Sequence, residues 1–151
     1  MEAIRDFEDI LVLLKKYKVQ YLIIGDLAFI YHAKPRYAND MDLWINPHPG
    51  NIALANLALT EFGSPVFLEQ DDYDQIVQIG IAPNRVDLIL KVPGMRFQTA
   101  WNKRIRGRYG SAGVYWIDLE SLIRIKQRID NPRHQDDVRV LRDVKRLKKR
   151  R

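Results

Sequence analysis

The stretch from Tyr21 to Asn46, YLIIGDLAFIYHAKPRYANDMDLWIN, constrains the fold of this chain more than any other. An apolar run, Tyr21 to Ile24, halts at Gly25, where the backbone needs room or a positive φ. A helix-compatible segment, Leu27 to Ala33, follows, with Asp26 placed to cap it. A polar loop, Lys34 to Asn39, then leads into Asp40-Met41-Asp42-Leu43-Trp44-Ile45. The outer pieces read as strands, short and rich in Ile, Leu and aromatics. Residues two apart on a strand share a face, so Asp40 and Asp42 point the same way, their Cα atoms roughly 6–7 Å apart. Two carboxylates opening an apolar strand repel each other and lose hydration. A divalent cation between them removes both costs. Mg²⁺, with Mn²⁺ as the alternative, suits such a site because it takes one or two carboxylates plus phosphate oxygens.

A third carboxylate lies downstream. In Arg85-Val86-Asp87-Leu88-Ile89-Leu90, the residues Val86, Leu88 and Leu90 make an apolar face, and Arg85, Asp87 and Ile89 make the other. An aspartate in so apolar a strand needs a partner. If this strand lies beside Asp40–Ile45, the three carboxylates can hold two divalent ions roughly 4 Å apart, the arrangement that serves phosphoryl or nucleotidyl transfer. Asp87 is then the candidate general base. The plainer reading is ion pairing, Arg85 with Asp87 or Arg36 with Asp40.

The rest of the chain supplies helices and strands to surround this unit. Ile4, Phe7, Ile10, Leu11, Leu14 and Tyr17 recur at helical spacing. A second amphipathic helix runs from Ile52 to Phe62, with Leu54, Leu57, Ala58 and Phe62 as its expected buried side. Val66 to Asp74 is ambiguous and ends in an acidic loop. Ile76–Ile81 and Arg85–Leu90 read as a hairpin around Ala82-Pro83-Asn84. Phe97–Lys103 reads as a short helix, and a glycine-punctuated basic segment ends in Val114–Ile117. Asp118 is a good cap for a helix from Leu119 to Ile129, and a last helix starts near Gln135.

With 151 residues and no linker or repeat, the chain reads as one domain, residues 1–151: an α/β core over 1–117 and C-terminal helices with a basic tail over 118–151. No apolar run approaches the ~20 residues of a membrane span, and MEAIRDFEDI does not read as a secretory signal, which points to the cytoplasm. Cysteine is absent, which excludes disulfides and thiolate metal sites. His32, His48 and His134 show no ligand spacing. The net charge of +6, concentrated in Lys103–Arg108 and Lys145–Arg151, favours polyanionic partners.

Gly25 after a strand, then Asp40-x-Asp42, then Asp87, together resemble the DNA polymerase β-like nucleotidyltransferase superfamily. The likeness is nearest to small bacterial proteins related to the AbiEii and minimal-nucleotidyltransferase toxin–antitoxin families. Its segments here are KPRYANDMDLW from Lys34 to Trp44, IGIAPNRVDL from Ile79 to Leu88, and IDLESLIRIK from Ile117 to Lys126, followed by Asp137 and Leu141. The resemblance implies an α/β (α+β) fold with a small mixed sheet, flanking helices and a C-terminal helical pair. It also implies metal-dependent transfer of a nucleoside monophosphate from an NTP to a hydroxyl of RNA, protein or a small molecule, with a toxin–antitoxin partner in prospect. Asp40, Asp42 and Asp87 would be catalytic and bind the metal. Gly25 and Asp26 would lie at the triphosphate, near a helix N-terminus that favours anions. Arg36 would be a phosphate contact or an ion-pair member. Lys126 would reach a phosphate or pair with Asp137.

The chain departs from the pattern twice. Asp26 stands where the motif has Gly or Ser, and Asn131-Pro132-Arg133-His134 stands where the family has Arg-Pro-Lys-Asp. A carboxylate about 5 Å from a phosphate costs roughly 3 kcal/mol at an effective dielectric near 20. The alternative is therefore a catalytically weakened module of the same fold that binds nucleic acid or a protein.

Overall fold

The structure, a computed structural model, describes residues 3–150. Met1, Glu2 and Arg151, the extremes of the N-terminal stretch and the basic tail, lie outside the described residues. The elements run α1 Arg5–Lys16, β1 Tyr21–Ile24, α2 Gly25–His32, β2 Asp40–Ile45, α3 Pro49–Phe62, β3 Ile76–Ile79, β4 Arg85–Ile89, α4 Phe97–Trp101, β5 Ile105–Tyr109, β6 Ala112–Trp116, α5 Leu119–Gln127 and α6 Pro132–Lys149. No described helix is long and apolar enough to cross a membrane.

The fold class is α/β in the α+β sense: one mixed six-stranded sheet, ordered β3-β4-β2-β1-β6-β5, with helices around it. The most apolar strands occupy the middle, as burial on both faces demands. All four residues of β1 are buried. It runs antiparallel to β2, with Ile24 opposite Asp42, and parallel to β6. β2 runs parallel to β4 with Asp42 beside Asp87. Registered partners share a face, so Asp40, Asp42 and Trp44 lie on one side with Asp87 and Ile89. Met41, Leu43, Ile45, Val86 and Leu88 point to the other side and are buried in the core with Phe7, Ile10, Leu11 and Leu14 of α1.

Three sequence readings need correction. α3 buries Asn51, Ile52, Ala55, Ala58 and Leu59, while Leu57 is 51% exposed and Leu54 also faces out. A polar residue sets this rotation. The Asn51 amide accepts from the Gln20 backbone N–H at 2.8 Å and donates to the Gln20 and Asn46 carbonyls at 3.0 and 2.9 Å. Second, α2 begins at Gly25, so Asp26 sits inside its first turn and does not cap it. Third, α6 starts at Pro132, capped by the Asn131 side chain on the Arg133 N–H, because proline at the first position has no N–H to satisfy. Asp118 caps α5 through the Ser121 N–H, as its position implies.

Candidate active site

The site grows from the parallel pairing of β2 and β4. That register brings Asp42 level with Asp87 and Asp40 level with Arg85. One oxygen from each of Asp40, Asp42 and Asp87 lies within 4.8 Å of the others. The Arg85 guanidinium reaches across two of them. Its Nε donates to Asp87 Oδ1 at 2.9 Å, and one Nη donates to Asp40 Oδ2 at 2.8 Å and Asp87 Oδ2 at 3.1 Å. Asp42 has no ion-pair partner among the described residues. Burial pushes its carboxyl up to about 7, helped by the charges of Asp40, Asp87 and Asp26. The Asp40 carboxyl is also raised, first by burial and then by Asp87. The cluster is short of positive charge, and Arg85 already sits on it as a stand-in cation. Three hard oxygen donors so arranged fit a divalent ion such as Mg²⁺.

Gly25 makes the cluster possible. Its φ is +67°, and a Cβ there would stand 2.2 Å from Asp42 Oδ2. Only glycine lets the end of β1 turn into α2 while the Asp42 carboxylate packs against that turn.

Beside the triad lies a second charge network that sequence spacing does not show. Asp26 accepts from Arg36 at 2.6 Å on one oxygen and from Arg133 at 2.6 Å on the other. Arg36 also donates to both oxygens of Asp137, at 2.6 and 2.9 Å, and lies 3.9 Å from the Phe29 ring centre. Lys126, 2% exposed, donates to Asp137 at 2.9 Å. Burial raises the Asp26 carboxyl, but the Arg133 and Arg36 bonds outweigh it and leave it below the usual range. For Asp137 the balance is steeper: Arg36 and Lys126 overcome burial and bring it down to about 2. His134 lies 3.4 Å from the Lys126 ammonium and is held below its ordinary value by burial and that charge.

The triad thus assembles from Asp40, Asp42 and Asp87, and Gly25 touches it. Arg36 and Lys126 are paired with Asp26 and Asp137, and Lys126 lines the same cavity as Asp42. The ion pair foreseen between Arg36 and Asp40 does not form. The Lys126–Asp137 pair offered by the sequence forms; Arg133 is the member that sequence reasoning missed. Arg133 meets Asp26 across 107 residues of chain, and only the packing of α6 against α2 brings them together.

A cavity of about 240 Å³ opens next to Asp42, lined by Ile24, Gly25, Ile89, Leu122 and Ile125, with Lys126 and His134 at its polar end. α5 therefore roofs the sheet beside the carboxylates.

No protein-family model matches this sequence, and no curated relative does. Solved structures do match. A lincosamide antibiotic adenylyltransferase, LnuA, in its lincomycin-bound form superposes with a TM-score of 0.62 at 14% identity, over 95% of this chain and 99% of that one. ANT(2")-Ia in complex with adenylyl-2"-tobramycin gives 0.62 at 17% identity, over 93% and 91%. An antigenic nucleotidyltransferase-like protein from Paracoccidioides brasiliensis gives 0.52 at 16%, over 95% and 77%. In fold, this chain is similar to the nucleotidyltransferases.

Proposed function

We propose that the chain is a divalent-metal-dependent nucleotidyltransferase that moves a nucleoside monophosphate from an NTP to a hydroxyl acceptor and releases pyrophosphate. The observation that carries this reading is the convergence of three carboxylates within 4.8 Å beside Gly25 and an adjoining cavity. Asp40, Asp42 and Asp87 would hold Mg²⁺ or Mn²⁺. The metal supplies charge neutralisation at the phosphates and a lowered pKa for the attacking hydroxyl. Asp87 is placed to take the acceptor's proton once Arg85 turns away. Arg85 is part-exposed, so this needs only a side-chain movement. The core over 1–117 and the helices after it work as one domain in this reading, since α5 roofs the cavity.

The acceptor is a hydroxyl on RNA, protein or a small molecule. The two antibiotic-modifying neighbours make small molecules the first class to assay, while a toxin–antitoxin setting would make the acceptor RNA or protein. A second reading has its own observation. Asp26 is paired with both Arg36 and Arg133 at the first turn of α2, so a weakened, binding-only module is the alternative.

The two are separated by incubating the protein with each labelled NTP, Mg²⁺ or Mn²⁺ and cell extract, beside Asp42→Ala. Label transfer that disappears in the variant supports the enzyme. No transfer, with no thermal shift on adding metal and NTP, favours the binding module.

A further inference from the structure

Away from the triad, cations from three elements converge at the β5 edge of the sheet. Arg106 and Arg108 lie on one face of β5, in register with Tyr115 and Gly113 of β6. Lys15 comes from the last turn of α1 and Lys18 from the loop after it, at a φ of +57° that few non-glycine residues adopt. Arg104 stacks over Trp101 at 4.0 Å and lies 5.4 Å from the Tyr115 ring centre. None of these five cations forms an ion pair among the described residues, whereas neighbouring Lys16 and Lys103 are matched by Glu61 and Glu120.

Three of these cations, Lys15, Lys18 and Arg106, border two adjoining hollows. One, of about 370 Å³, is lined by Lys15, Arg106, Gly113 and Tyr115. The other, of about 390 Å³, is lined by Lys15, Lys18, Trp101 and Tyr115. They share Lys15 and Tyr115, so they form one groove, and neither has a carboxylate in its wall. The Lys15 ammonium lies close over Gly113, where a Cβ would come within 3.0 Å of it.

Arginines on an edge strand serve by themselves to block sheet-to-sheet pairing. That role does not account for Lys15 and Lys18, which belong to another element, nor for the half-buried Tyr115 ring that both hollows share. Unpaired cations spaced along a groove with aromatic faces between them are what a single-stranded nucleic acid requires: phosphates meet the cations and bases stack on the rings.

We propose that this groove, formed by α1, α4, β5 and β6, binds single-stranded nucleic acid through Lys15, Lys18 and Arg106, with Tyr115 as the stacking surface. The site does not depend on nucleotidyl transfer at the triad. Nucleic acid held here is either a substrate brought to the protein or a tether that localises it.

The test is fluorescence anisotropy with a labelled twelve-nucleotide oligouridylate across a KCl series. Lys15→Ala/Arg106→Ala, both exposed positions, should retain the wild-type melting temperature and weaken binding at least tenfold. Its slope of log affinity against log salt should be shallower by about 1.4, because each single-strand phosphate contact contributes about 0.7. Lys148→Ala/Lys149→Ala removes the same charge from α6 and should change affinity less than twofold. Photocrosslinking with 5-iodouridine should place an adduct on Tyr115. The proposal is overturned by an oligonucleotide that does not bind, by equal loss in the two double variants, or by adducts confined to α6. A labelled poly-glutamate of equal charge that binds as tightly overturns the nucleic-acid assignment in favour of an acidic protein. Every readout is independent of whether label transfer occurs.

Discussion

Replacing Asp26 with asparagine is the most informative single change. The native carboxylate holds Arg36 and Arg133 at 2.6 Å each, at the first turn of α2. An NTP triphosphate that settles at that turn must win those guanidiniums from Asp26 and tolerate its charge. The Arg133 pair is over half exposed on the arginine side, so losing it costs at most about 1 kcal/mol. The Arg36 bond is better buried and charge-assisted, roughly 1.5–3 kcal/mol, though Arg36 keeps Asp137 when Asp26 lets go. Direct repulsion at about 5 Å adds roughly 3 kcal/mol, which salt screens only in part because the Asp26 side chain is partly buried. The net penalty on the triphosphate is about 2–4 kcal/mol. Asp26→Asn should therefore tighten ATP binding roughly thirtyfold to several hundredfold in the presence of Mg²⁺.

Isothermal titration of ATP into wild type, Asp26→Asn and Asp26→Ser measures this directly. The variants should lose only about 1 kcal/mol of folding stability, since Arg133 can return to water. Affinities within threefold of wild type in both variants would refute the competition. Weaker binding in both would show instead that Asp26 contributes to the nucleotide–metal complex.

Three further perturbations test the surrounding geometry. Asp137→Asn leaves the Lys126 ammonium buried without a carboxylate and should cost about 3–5 kcal/mol in urea unfolding. In wild type, the Asp137 carboxyl at about 2 contributes stability that is full above pH 4 and is lost as pH falls from about 4 to 2, so acid melts should steepen there. Asp42 has the opposite sign: its carboxyl at about 7 holds a proton that the unfolded chain releases, so metal-free wild type should lose stability as pH rises from about 4 to 7. Asp42→Asn should be more stable than wild type by a margin that grows across that window and then levels off; a constant margin would show that folding does not raise the Asp42 carboxyl. Gly25→Ala meets both the +67° φ and the 2.2 Å approach to Asp42, so it should cost at least about 1 kcal/mol in thermal unfolding and abolish label transfer.

The triad was legible because strand alternation is a local rule. Asp40 and Asp42 share a face whatever surrounds them, and Asp87 joins once β4 lies beside β2. The rotation of α3 was not legible by the same logic. Its apolar residues permit two stripes, and the choice falls to Asn51, a polar side chain whose three partners lie in other segments. The pairing of Asp26 with Arg133 escaped for a related reason. Both stood out as departures from the pattern, but that they meet depends on the angle at which α6 returns across the start of α2.

That pairing also bears on what Asp26 means. A carboxylate acquired by decay, where the motif has Gly or Ser, would leave a partly buried charge with no partner, and the site around it would be frustrated. Here both oxygens are matched by separate guanidiniums, and one of those arginines stands in the Asn131–His134 segment, the second place where the chain leaves the pattern. Two departures that satisfy each other's charge amount to one rebuilt feature. An Asp26→Ser change alone leaves Arg133 unmatched, and an Arg133→Ala change alone leaves Asp26 half-matched. If the feature is a unit, the double variant Asp26→Ser/Arg133→Ala should be more stable than the two single effects predict by about 1 kcal/mol, the coupling expected of a part-exposed pair. Additive single effects would mean that the two residues meet without depending on each other, and decay would again account for Asp26.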